Sequence, residues 1–354
     1  MKNKYVPMFY PYVSKKSKKE VQKTLNSRFI GQGDRCDQFE QEFCKTLNAK
    51  YAVSVNSGTA ALNLAYHFAD IKPGDEVITT VLTCTATNIP LLHMGAKIVF
   101  ADIGEDLNVD PEDIKRKITP KTKAIVNTHL HGNPSNIGKM PVTVIGDSSQ
   151  YHGKPLPCDD YICYSLQAIK HITTGDGGML VVRNKEDNKR ARDLRWFGID
   201  RDRKKKAGWQ PFINREMTTD IIEPGWKYQM TDIDAAIGLG NLSEYDKIMN
   251  HHKKLRAIYE KELVDVGGIV TIGGLWGFPI LVKNREDFSK MLLAHNIESN
   301  VIQIRNDIIT AFGGKRQDLP KMNFLEDKYL SLPLHMHVTE EDVYRICDLA
   351  RKGW

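Results

Sequence analysis

The chain of 354 residues has no C-x-x-C pair among its six cysteines and no histidine cluster at zinc-ligand spacing. A metal centre is therefore not expected, and Cys36, Cys44, Cys84, Cys158, Cys163 and Cys347 read as free thiols of a reducing compartment. Also missing is any run of eighteen apolar residues, and "MKNKYVPMFYPYVSKKSKKE" lacks the continuous apolar core of a secretory signal. Those absences predict a soluble, cytoplasmic protein with no membrane partner. Charge of one sign is scarce too: 50 basic against 44 acidic residues leaves only +6, and the basic residues are dispersed. Nothing in that balance calls for a nucleic-acid partner. The one basic cluster, "RDRKKK" at Arg201–Lys206, reads as a solvated loop, with a phosphate or phosphosugar contact as the alternative. Repeats and low-complexity tracts are absent. With 41% apolar and 27% charged residues the composition is that of an ordinary globular protein.

What is present is an alternation of short apolar runs and helical stretches. "SKKSKKEVQKTLNS" and "CDQFEQEFCKTLNA" have helical spacing, with Phe39 and Phe43 on one face. "YAVSV", "EVITT", "KIVFADI", "AIVNTHL", "VTVIGD", "YICYSL" and "GGMLVV" then read as strands. Strands this apolar predict an α/β protein with a largely parallel sheet covered on both faces. From Thr231 a long helical stretch takes over and runs to about Asp265. "GIVTI" and "GFPILV" follow as strands, "DFSKMLLAHN" as a helix, and "TEEDVYRICDLARK" as a last helix capped by Thr339. A chain this long exceeds the usual size of one core. Two domains are expected: a large one over 1–245, including the N-terminal segment, and a small α+β one over 246–354.

Three motifs carry chemistry. "NSGTAAL", Asn56 to Leu62, places Ser57, Gly58 and Thr59 at a helix start, where free N–H groups and the helix dipole suit an anion. A plain helix cap would use the same residues, and neither the dinucleotide glycine spacing nor the P-loop lysine is there. "VIGDSSQYHG" puts Asp147 at the end of a strand, where open α/β sheets present functional groups. An acid there can cap a helix or pair with a cationic ring nitrogen; a metal is the weakest option, because no second ligand stands at suitable spacing. "SLQAIKHITTGDGG" sets Lys170 between an apolar strand and a glycine-rich turn. A lysine so placed is desolvated, loses basicity and becomes a nucleophile.

Taken in order, "NSGTAAL", "GDSSQYHG", "YSLQAIKHITTGDGGML" and "GWKYQMTDIDAAIGLGNL" resemble the signature of the DegT/DnrJ/StrS sugar aminotransferases. The similarity runs from about Phe9 to "LSLPLHMHVTEEDV". The resemblance implies a pyridoxal-phosphate enzyme of the aspartate aminotransferase fold (type I), working as a homodimer. Lys170 would hold the cofactor covalently and then carry the proton between substrate and cofactor. Asp147 would pair with the pyridine nitrogen and keep it protonated. Ser57, Gly58, Thr59 and Ser165 would hold the phosphate, and Gln150 would lie near the phenolic oxygen. Gly175, Gly177 and Gly178 would let the chain after Lys170 pass close by.

Two departures stand out. Cys84, in "TCTATN", takes the place of an aromatic residue that stacks on the cofactor ring, and can cover it only by polarizable contact. In "GWKYQ", Lys227 replaces an asparagine that reaches the partner's phosphate, and Gln229 replaces an arginine; a lysine still binds phosphate as a point charge. His171 follows the lysine rather than replacing it, as it does in sugar-dehydrating relatives, and reads as a packing residue or a substrate contact. His129 reads either as a cofactor-side histidine or as a satisfied core histidine. Arg305 and Asp307, in "IRNDI", are expected to close over the sugar. The resulting expectation is transfer of an amino group from glutamate to the 4-keto carbon of a GDP- or UDP-linked 6-deoxyhexose, as in perosamine or viosamine synthesis. The alternatives are 3-dehydration, 3-amination, and a non-catalytic ligand-sensing relative.

Overall fold

The computed structural model describes residues 4–206 and 221–354. Helices α1 (Lys15–Leu25) and α2 (Asp34–Leu47) precede a seven-stranded sheet formed by β1 (Ala52–Val55), β2 (Glu76–Thr80), β3 (Lys97–Ala101), β4 (Thr122–Thr128), β5 (Thr143–Asp147), β6 (Tyr161–Ser165) and β7 (Gly178–Val181). All seven are the apolar runs picked out above. Their order is β1-β7-β6-β5-β4-β2-β3. Every pairing is parallel except the two made by β7, which lies antiparallel between β1 and β6. Strands β2, β6 and β7 are buried along their whole length, whereas β3 starts with exposed Lys97, a charge that blunts the sheet edge.

Helices α3 (Gly58–Phe68), α4 (Thr85–His93) and α5 (Pro111–Lys117) connect the strands, and α6 (Lys185–Leu194) follows β7. Ala60, Ala61, Leu64 and Ala65 of α3 pack on Val53, Val126, Ile145 and Leu180 of the sheet. Burying such side chains is worth about 1.5–3 kcal/mol for each large one, which fixes α3 and its N-terminus against the strand ends.

The run "RDRKKK" is not a loop. It forms α7 (Arg201–Lys206), started by Asp200, whose carboxylate accepts from Arg203 N at 2.8 Å. The Arg201 guanidinium lies 4.5 Å from the Trp196 ring centre and donates to the Gln32 carbonyl.

The stretch expected as one long helix is two, α8 (Asp232–Leu242) and α9 (Tyr245–Leu263). Glu244 leaves helical geometry at φ −109°, ψ 17°, and its carboxylate accepts from Tyr12 Oη at 2.7 Å. That contact comes from 232 residues away and has no local signal. The expected boundary at 245/246 falls at the start of α9.

A three-stranded antiparallel sheet follows, β8 (Ile269–Thr271), β9 (Phe278–Val282) and β10 (Tyr329–Leu332), in the order β10-β9-β8. With α9, α10 (Arg285–Ala294) and α12 (Glu340–Arg351) it encloses its own core of Leu255, Tyr259, Phe278, Phe288 and Ile346. The short α11 (Pro320–Leu325) and β10 were not foreseen. β10 is only four residues long and is defined by its pairing with β9. Thr339 caps α12 as expected, in a reciprocal pair with Asp342. Residues 4–9 sit on this small unit rather than the large one: Val6 is buried in its core and pairs with Ile297.

Candidate active site

The parallel strands β1, β2, β4, β5 and β6 end along one rim, and a cleft of about 530 Å³ opens there. Its wall combines strand ends with Phe9, Trp276, Asn300, Ile302 and Gln303, which belong to or pack on the small unit. A cleft of that size suits a small ligand.

Asp147 is the last residue of β5 and only 3% exposed. One carboxylate oxygen accepts from Thr87 Oγ1 at 2.7 Å and the other from Ser149 N at 3.0 Å. Thr87 Oγ1 in turn meets Thr83 Oγ1 at 2.9 Å, so a hydroxyl pair from the start of α4 orients the acid.

Ser57 caps α3, its side chain accepting from Ala60 N at 3.0 Å. A Cβ on Gly58 would lie 2.9 Å from Ser165 Cβ, so only glycine leaves this corner open to a ligand. Gly178 pairs with Val55 on one side and with Ser165 on the other. Any side chain there would strike the Ser57 carbonyl and the Gly58 nitrogen. Ser57, Gly58, Thr59 and Ser165 thus meet at one point, with the first-turn N–H groups of α3 facing the cleft.

Lys170 lies in the β6–β7 connection, which is closed on itself by Leu166 N to the Gly177 carbonyl and Thr174 N to the Leu166 carbonyl. Gly175, at φ +92°, makes the turn. The amine sits 4.0 Å from the centre of the Trp276 ring. Lys170 is partly open to the cleft, yet desolvation of its amine dominates and pushes its pKa down to about 8, against opposing influences from Asp147 and Cys84. At pH 8 about half of the amine is then unprotonated, against under 1% for a free lysine.

Gln150 and Cys84 also line the cleft. Gln150 Oε1 accepts from His131 N at 2.7 Å, leaving its NH₂ as the free end. Cys84 stands at the start of α4 and is exposed.

Four expected substrate contacts are not in the cleft wall. His129 Nε2 donates to Asp159 at 2.9 Å and its Nδ1 accepts from Ser135 N, both partners satisfied in the core. His171 points away from the cleft, donating to the Leu275 carbonyl. Arg305 and Asp307 form a fully buried ion pair at 2.6 Å, with Asn323 and the Gln317 backbone completing it. Desolvation and Coulomb attraction balance best when such a pair satisfies itself, and this one has no valence left for a sugar. Lys227 is likewise outside the cleft; it is exposed, with its amine 3.4 Å from the Trp196 ring centre. Thr87, Phe9, Trp276, Asn300 and Gln303 were not anticipated. Thr87 stood in the quoted "TCTATN" segment, three residues beyond Cys84, and a Trp flanked by glycines in "GGLWGFP" is a signal of close packing.

An amine of low basicity sharing a cleft with a buried carboxylate and an anion cradle belongs to the pyridoxal-phosphate enzymes of fold type I. Comparison with known proteins agrees. Residues 11–351 match the DegT/DnrJ/EryC1/StrS aminotransferase family, and the chain belongs to it. It is 31% identical to the spore coat polysaccharide biosynthesis protein SpsC of Bacillus subtilis (strain 168), covering 99% of this chain and 97% of that protein. GDP-perosamine synthase of Escherichia coli O157:H7 is 29% identical, with 98% and 97% covered. Among solved structures, the sugar aminotransferase CalS13 of Micromonospora echinospora superposes with a TM-score of 0.89 at 30% identity, covering 99% of this chain and 100% of that one.

Enzymes of this family use pyridoxal 5′-phosphate, and the residues present fit it. Gly58 leaves the space a phosphate needs beside the hydroxyls of Ser57 and Ser165. The Asp147 carboxylate is oriented by two donors, Lys170 supplies the amine, and the free NH₂ of Gln150 is a donor of the kind a phenolate accepts. Among the described residues no group of acidic, histidine or cysteine side chains is placed to hold a metal, and no helix is long and apolar enough to cross a membrane.

Proposed function

We propose that the protein transfers an amino group from glutamate to the 4-keto carbon of a nucleotide-linked 4-keto-6-deoxyhexose, in the synthesis of an amino sugar for a glycan or polysaccharide. The observation that carries the reading is Lys170, an amine about half unprotonated at pH 8 and facing a cleft with a carboxylate and an anion cradle. Likeness to GDP-perosamine synthase supports the 4-keto sugar as acceptor.

Bound pyridoxal phosphate supplies an electron sink for the carbanion that forms at the substrate carbon. Asp147 would pair with the ring nitrogen and keep it protonated. Lys170 would hold the cofactor and, once displaced, would carry the proton between each substrate carbon and the cofactor. Ser57, Gly58, Thr59 and Ser165 would hold the phosphate. Asn300 and Gln303 bring polar groups of the small unit to the sugar side of the cleft. We place the enzyme in the cytoplasm as a homodimer, with Lys227 of each subunit reaching the phosphate in the other.

The test is direct. Purified protein should be yellow, and glutamate should discharge the colour. A 4-keto sugar nucleotide should then restore it and yield a stable amino sugar by mass spectrometry. A colourless protein indifferent to added cofactor would sink the proposal, and a nitrogen-free deoxygenated product would replace transamination by 3-dehydration.

A further inference from the structure

Trp276 covers Lys170, and histidines from three separate elements fix the backbone that carries it. The His131 carbonyl, just after β4, accepts from Leu275 N at 3.0 Å and Trp276 N at 2.9 Å. The Leu275 carbonyl accepts twice: from His171 Nε2 at 2.6 Å and from His252 Nδ1 at 2.8 Å. A carbonyl has two lone pairs, so this one is saturated by imidazoles. The two rings lie 4.8 Å apart, both are buried, and each must carry its proton on a different nitrogen. His171 Nδ1 has no partner at all, so only the Nε2 donation accounts for a polar ring at that depth. His171 adjoins Lys170 in the chain, whereas His252 stands on α9. The Trp276 indole closes the loop by donating from Nε1 to the Ile169 carbonyl at 2.9 Å.

We propose that His171 and His252 are positioning residues that jointly hold the Leu275–Trp276 peptide, so that the indole stays over Lys170 and keeps water off its amine. The inference rests on the reading of Lys170 as the amine that captures the cofactor. Groups facing Lys170 are Asp147, Cys84, His152 and His171; those facing the histidine pair are Lys170, His152, His251 and His335. Burial keeps the imidazoles neutral, so the clamp does not itself titrate over the working range. Loosening it admits water to Lys170, whose basicity then returns toward that of a free amine.

The readout is the pH dependence of the rate at which apoprotein takes up pyridoxal phosphate, followed by absorbance, because capture requires unprotonated Lys170. Replacement by leucine, H171L or H252L, should move the midpoint of that profile up by about one pH unit. Amides that put an N–H in the same place should rescue it: glutamine reproduces Nε2 and asparagine reproduces Nδ1. H171Q and H252N should therefore keep the parental midpoint, and H171N and H252Q should not. This crossed pattern is informative even if the leucine variants do not fold, since the four amide variants differ by one methylene. A parental midpoint in all variants, or equal effects of both amides at each position, would overturn the clamp while leaving the role of Lys170 intact. Uptake that survives K170A unchanged would overturn that role and the clamp with it.

Discussion

Lowering the pH from 7 to 5 is expected to remove most of the protein's stability, and the buried histidines set the amount. Burial pushes His131 and His335 down to about 4, His152 and His171 to about 3, and His252 well below its ordinary value. In the unfolded chain each titrates near 6.5. Below that pH the unfolded state binds protons that the native state refuses, so stability falls as pH falls. Each imidazole costs about 1.4 kcal/mol per pH unit once its unfolded form is charged, or up to about 2 kcal/mol by pH 5. Five of them approach about 10 kcal/mol, which is within the whole stability of a typical protein. Carboxylates such as Glu223 and Glu326 are held low by arginine partners and titrate further down, whereas Asp193 and Asp234, raised by burial, offset a small part of the loss. The assay is urea unfolding of apoprotein between pH 7 and 5, followed in parallel by tryptophan fluorescence and circular dichroism, so that coincident curves justify two-state treatment. Substituting His152 with glutamine should reduce the slope by about one proton. A slope below about 1.4 kcal/mol per pH unit in the parent would refute the reasoning, since fewer than one proton would then separate the two states.

Three further outcomes are expected. Substituting Gly58 with alanine places a methyl 2.9 Å from Ser165 Cβ; cofactor affinity, measured by fluorescence titration, should fall at least tenfold with little change in melting temperature. T87V removes the hydroxyl donor to Asp147 and should cost about 1–3 kcal/mol of transition-state stabilisation, read as a loss in kcat/KM. Arg305→Ala leaves Asp307 charged and alone in the interior, a loss of about 3–5 kcal/mol in unfolding free energy, while R305K retains part of it.

The sheet was legible because strands covered on both faces must be apolar throughout, and all seven runs turned out to be strands. That Gly58, Asp147 and Lys170 share one cleft was legible because each lies at or just after the end of a strand on the same rim, where local sequence and topology coincide. Illegible features depended on distant partners. Glu244 breaks a helix through Tyr12, β10 exists through β9, and Asp200 turns a basic run into a helix. His129, Arg305 and Asp307 were expected in the site from the family resemblance, as a cofactor-side histidine and as residues closing over the sugar. Each proved to be paid off by another buried group, a partnership that no spacing in the sequence announces. Trp276 escaped notice for the opposite reason, since an apolar ring is by default core.

The place of Gly178 between β1 and β6 also dictates an order of assembly. The hairpin that carries Lys170 and the corner of Ser57, Gly58 and Ser165 are closed by the same residue, yet Ser57 and Ser165 follow or end strands far apart in the chain. Contacts of such long separation form late in folding. A nascent chain that has not yet paired β7 therefore has neither the anchor nor the cradle. Cofactor capture would then report that the sheet is finished.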